Sequence, residues 1–163
     1  MKNIIVAILV VASMIMINPT NAAADDRSTN GIGFVAGSTY GFGIGYKHKF
    51  RNSPVAFQVA GLPIITEEEL ILTGGLALQF TLHQGNYGST FISIAASAIH
   101  ITDRWVSQHD ETLIAAGPGI GIEWRLYENF SFVFYVPAAA FFDPKEGFIS
   151  LLPIPNVTLM YTW

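Results

Sequence analysis

Six residues near the middle of this 163-residue chain carry the side-chain types of a hydrolytic relay: Ser97, His100, Asp103, Ser107, His109 and Glu111. A serine becomes a nucleophile when a base within hydrogen-bond reach takes its proton and an acid orients that base. The chemistry such a set would support is acyl-ester hydrolysis. A second group, Lys47 and Lys49 with Glu123 and Arg125, offers charges of both signs. In a low-dielectric setting they would act as a gate or narrow polar path, or more simply as an ion-paired plug, since enclosed charges need partners.

Other chemistries find less support. The histidines are His48, His83, His100 and His109; a metal or catalytic site needs two or three to converge, and separate positions are expected. The run Glu67-Glu68-Glu69 could hold calcium, but three adjacent carboxylates on a turn read as a solvated loop tip. The glycine-rich stretches at 41–45 and 117–121 lack the G-x-G-x-x-G spacing of a phosphate-binding turn. Cysteine is absent, which removes disulfides, thiolate catalysis, thiolate metal sites and a lipid anchor on cysteine. No metal and no cofactor are expected.

Composition narrows the setting. Hydrophobic residues make up 51% of the chain and charged ones 12%, about half the ~25% charge of an ordinary soluble domain. A net charge of −4 leaves no basic footprint for nucleic acid. An ordinary soluble enzyme does not fit.

The elements that must position these residues begin after an address. Lys2 precedes an apolar run from Ile4 to Ile17 broken only by Ser13, and small residues stand at Ala22 and Ala24. This is the layout of a secretory signal peptide, too short for the ~20 residues of a membrane-spanning helix. The expected division is a signal peptide at 1–24, with cleavage after Ala22 as an alternative, and one domain at 25–163.

Within that domain no apolar run is long enough to span as a helix, so a closed barrel is the remaining membrane solution. Segments of period two, separated by turn residues, are its signature. Eight are expected, near 31–37, 40–50, 54–65, 70–82, 88–101, 111–126, 129–142 and 148–163. At the end of the chain Val157, Leu159, Tyr161 and Trp163 alternate with Asn156, Thr158, Met160 and Thr162. Phe130, Phe132, Phe134 and Val136 alternate with Ser131, Val133, Tyr135 and Pro137. Tyr40, Phe42, Ile44, Tyr46 and Phe50 are expected to oppose Gly41, Gly43, Gly45, Lys47 and Lys49.

One face thus carries large apolar residues and the other mostly Gly, Ala, Ser and Thr. Small residues suit a narrow lumen and make a poor solvated exterior. The large face is expected to meet lipid, with aromatic girdles at Phe50, Tyr127, Phe130, Tyr161 and Trp163 on one side and Trp105, Phe141, Phe142 and Phe148 on the other.

The signal peptide, the eight-strand rhythm, the Gly41-Phe42-Gly43-Ile44-Gly45-Tyr46 strand and the final strand together resemble small outer-membrane barrels of the outer-membrane protein A and X type. The resemblance implies an all-β, eight-stranded antiparallel up-and-down transmembrane barrel in a Gram-negative cell outer membrane. It implies outer-membrane lipid as the surroundings and the barrel-assembly machinery as the partner in biogenesis. Val157, Leu159, Tyr161 and Trp163 would be the assembly signal, with Trp163 where the family usually has Phe. A function does not follow from such a fold. The expected protein is a monomeric, non-enzymatic barrel for envelope integrity or surface interaction. Two alternatives stand beside it: a lipid-modifying hydrolase using the Ser/His/acid set at the outer rim, and a secreted lipocalin-like ligand-binding barrel. The local motifs of the lipid A deacylase and palmitoyltransferase barrels are missing.

Overall fold

The computed structural model of the chain describes residues 29–67, 69–103, 110–127 and 129–163. The expected signal peptide, Trp105, Ser107 and His109 lie outside the described residues. Ten strand segments follow in order: β1 (Thr29–Gly37), β2 (Gly41–Lys49), β3 (Val55–Ile65), β4 (Glu69–Gln84), β5 (Gly88–Asp103), β6 (Asp110–Tyr127), β7 (Phe130–Pro137), β8 (Ala139–Asp143), β9 (Gly147–Leu152) and β10 (Asn156–Thr162). All neighbours are antiparallel, and the β1–β10 and β5–β6 pairings close the sheet on itself.

The ten segments are eight strands. β7 pairs Pro137 with Gly119 and β8 pairs Ala140 with Ala116, three residues further along on both sides, so the register never slips. Between them Ala138 N–H still donates to the Pro118 carbonyl, but Pro118 has no N–H to return. The same holds for β9 and β10, whose partners Ala139–Leu152 and Tyr135–Asn156 are four residues apart on each strand. Pro153 and Pro155 interrupt the ladder there. Each break is a missing donor rather than a turn.

The alternation of side chains follows the barrel wall. Along β2 the burial pattern runs strictly buried and exposed from Gly41 to Lys47, and β10 repeats it. Phe34 is 73% exposed, Ile94 64%, Leu76 58% and Ile44 53%, all on the outside. Such a belt would be costly in water, at ~25 cal/mol for each Å² of apolar surface, and contiguous patches of this kind mark an interface. The inside is dense: Tyr40, Tyr135, Phe91, Met160, Gln58 and Gln79 are fully buried.

Wall heights are unequal. β1 and β2 have 9 residues each, whereas β4, β5 and β6 have 16, 16 and 18. All eight strands have one end near the rim that holds Thr29 and Trp163, here the terminal end. The short first hairpin therefore stops well below the far end.

Two placements differ from the sequence expectation. Tyr40 is 1% exposed and points inward, because the β1–β2 turn at 38–40 folds into the lumen and breaks the alternation before β2 begins. Phe141, expected in the far girdle, is 9% exposed on the inner face opposite Ala115. Phe142 and Phe148 do lie outside, edge to face at 5.7 Å.

Candidate functional site

The lumen is the only enclosed chemistry the described residues offer, and it has two layers. At the terminal end Lys47 on β2 and Glu123 on β6 face each other across the barrel, Nζ to Oε2 at 2.7 Å. Their side chains are 8% and 23% exposed. Period-two alternation puts both on the inner face, and the closed ring brings them together although 76 positions separate them. Lys49 Nζ donates to Gln84 Oε1 at 2.8 Å. Lys47, Lys49, Glu123 and Arg125 line a single cavity of about 60 Å³ with Asn30, Gln84 and Ser131. Among the described residues that line it are three cations and one carboxylate. A cavity of that size holds a few waters. Lys47 Nζ also lies 5.9 Å from the centre of the Phe91 ring.

Above this layer stands a stack of rings. Tyr135 sits between Tyr40, 4.6 Å away, and Phe91, 6.1 Å away, with interplanar angles of 14° and 17°. The Tyr135 hydroxyl donates to the Ser93 carbonyl at 3.2 Å, and Gln79 Nε2 donates to the Tyr40 hydroxyl at 3.0 Å. Rings of this size fit an eight-stranded lumen only where a neighbouring inner position lacks a side chain, and Gly121 is the cross-strand partner of Phe91. A Cβ on Gly121 would lie 2.3 Å from the Phe91 ring.

The β1–β2 turn closes the stack from above. The N–H groups of Thr39 and Tyr40 both donate to Asn156 Oδ1, at 3.1 and 3.2 Å. Ser97 Oγ donates to the Ser38 carbonyl. A Cβ on Gly75 would fall 2.1 Å from the Tyr40 carbonyl oxygen, so only glycine admits this approach. The turn thus rests on β4, β5, β7 and β10 and stops the bore. Asn156 and Tyr40, its two anchors, carry no motif in the sequence. The nearest signal is a buried amide directly after Pro153-Ile154-Pro155.

Among the described residues, Ser97 and His100 of the hydrolytic set are not brought together. Ser97 is on the inner face with its hydroxyl on Ser38, whereas His100 faces outward. An odd number of positions separates them along β5, so alternation puts them on opposite sides of the wall. Both His100 nitrogens are engaged, Nδ1 with Thr112 Oγ1 at 2.8 Å and Nε2 with Thr102 Oγ1 at 2.9 Å. His48 also faces outward, against Asn30, Phe50 and Phe57. No group of three or more metal-ligating side chains occurs among the described residues.

On the last strand Val157, Leu159, Tyr161 and Trp163 lie exposed in a row. Tyr161 packs against Phe130 at 5.4 Å and Trp163 at 6.2 Å.

No family model and no curated protein matches the chain. Among solved structures it is similar to the N-terminal β-barrel domain of Pseudomonas aeruginosa OprF, with a TM-score of 0.54 and 10% identity. That match covers 86% of this chain and 99% of the other. It is also aligned with Ail, the attachment invasion locus protein of Yersinia pestis, at a TM-score of 0.44 and 15% identity over 83% of this chain and 97% of that one. The likeness to the OprF domain is one of fold: this chain folds as a closed eight-stranded antiparallel barrel.

Proposed function

We propose that the protein is an integral barrel of the bacterial outer membrane, exported by a signal peptide at residues 1–24 and serving envelope integrity or surface interaction without catalysis. The observation that carries this reading is the outer belt: Phe34, Ile44, Leu76 and Ile94 stand more than half exposed around a closed barrel whose interior is packed. A secreted lipocalin-like barrel would turn those residues inward. In this reading the belt contacts outer-membrane lipid, and Val157, Leu159, Tyr161 and Trp163 present the strand that the assembly machinery receives.

The packed lumen supports a structural part rather than a conducting one. The ring stack, the tucked turn and the Lys47–Glu123 pair fill the bore in sequence, and the four charged residues act as an ion-paired plug. A monomer suffices, because the ring closes within one chain. The test is extraction. The protein should resist high-salt buffer, require detergent, and run faster on a gel unheated than boiled. Release in salt alone would overturn the reading. In planar bilayers it should show no steady conductance.

A further inference from the structure

Among the described residues, the far half of the barrel wall lacks the continuation of its first two strands. β1 stops at Gly37, level with Asn156; beyond the bond from Ser38 Oγ to the Ile154 carbonyl, residues 147–153 run on with no strand paired on that side among the described residues. β2 pairs with β3 only up to Ile44–Gly61, and beyond it Leu62–Ile65 are paired with β4 alone among the described residues. Where the first two strands should continue there is a notch. Three strand spacings separate β9 from β3 across it, ~14 Å at about 4.8 Å per spacing. Its sill is the tucked turn at 38–40.

Cross-strand pairs share a face, so the register identifies what lines the wall behind the notch. One inner row is Leu62, Thr73, Ile99 and Leu113; the next is Ile64, Ile71, Ile101 and Glu111. Six of these eight residues are apolar, and all six are half-buried or more open. In the lumen below, the inner face mixes polar groups and rings with smaller or fully packed apolar side chains such as Val35, Ala77, Val133 and Met160. The apolar surface is also continuous with the outer belt around both lips. Ile65 is 67% exposed on one, and Phe148 and Leu151 are each 61% exposed on the other, where Leu152 stands 45% exposed toward the inside. The upper rim is different again, with exposed Glu67, Glu69 and Glu111.

We propose that this notch is a lateral port through which a single hydrocarbon chain of a membrane lipid lies against the inner wall. The inference rests on the membrane reading above. Chain chemistry follows from the lining, and the lateral route from the continuity of apolar surface around the lips. The acidic rim opposes arrival of a fatty carboxylate from water. Side access leaves the lipid headgroup outside, at the level of the bilayer surface. An eight-stranded wall encloses little more than its own side chains, so one chain fits and a headgroup does not.

The test is photo-cross-linking of the whole protein reconstituted in bilayers of a phosphatidylcholine carrying a diazirine on its acyl chain, read by peptide mass spectrometry. Cross-links are expected at Leu76 and Ile94 on the belt and also at Ile99, Ile101 and Leu113 inside. Leu113→Trp fills the inner wall and should cut the inner cross-links several-fold while the belt cross-links and heat-modifiable mobility persist. Belt cross-links alone would overturn the port and leave the membrane reading standing. Absence of both would overturn the membrane reading itself. Inner cross-links with a water-soluble diazirine fatty acid but none with the bilayer lipid would overturn lateral access. Protein–protein cross-links through β9 would show a second copy in the notch and also overturn it.

Discussion

The two ends of this barrel are built from the same strands and obey different rules. At the terminal end eight strands close a ring, inner side chains meet across it, and Lys47 reaches Glu123 at 2.7 Å. At the far end β3 to β6 rise past the short first hairpin as a curved palisade whose inner face is mostly apolar. Closure makes the difference. Where the ring is complete, each inner residue has an opposite number and packing decides its worth. Where it is open, the same alternation leaves a wall that needs an occupant.

The comparison breaks if the two ends respond alike to substitution, and the largest effects belong to the closed end. Tyr135→Ala removes the middle ring of the stack and should cost about 3–5 kcal/mol, as loss of a buried aromatic does, measured by urea unfolding in detergent. Glu123→Ala strands Lys47 against Phe91 and should cost about 3 kcal/mol, since a lone buried charge is the expensive product. Replacing both partners, Lys47→Met with Glu123→Leu, should restore most of that loss. No recovery in the double variant would show that the cluster does more than pair.

Smaller effects sharpen the boundary between the halves. Gly75→Ala forces the Tyr40 carbonyl away and should cost about 1–3 kcal/mol by overpacking. It should also expose the turn: in a Thr39→Cys background, maleimide labelling should speed up once Gly75 is replaced. Ile101→Thr, on the open wall, should change stability by only about 0.5 kcal/mol, as surface substitutions do. A cost there equal to that of Tyr135→Ala would mean the far end is packed like the near one.

Much of the architecture was legible because period two is a local property. The eight segments expected from alternation match the observed strands to within about two residues at most ends, for example 88–101 against Gly88–Asp103. The splits after Pro137 and Leu152 come from prolines visible in the sequence, and their register is unbroken. Tyr40 was misplaced because alternation was extended through a turn, where the chain reverses and parity is lost. Phe141 was misplaced because its aromatic type suggested a girdle, whereas its pairing with Ala115 puts it inside. Ser97 and His100 part for the converse reason: their types are close in sequence, while the pleat puts them on opposite faces.

The far wall did leave a signal that alternation alone passes over. Ile64-Ile65, Leu70-Ile71-Leu72 and Leu151-Leu152 are apolar runs, which in strands mean two covered faces rather than one. They mark the region where the inner face stops being small or polar.

By itself the sequence determined that the chain forms strands, how many, and which face of each is apolar, because these depend on neighbours one or two positions away. Only the tertiary structure decided that Lys47 meets Glu123, that Asn156 holds the first turn inside, and that the first hairpin ends below the others. Those facts depend on ring closure and inter-strand register, which bring together residues 76 and 117 positions apart. No local pattern specifies contacts at that range.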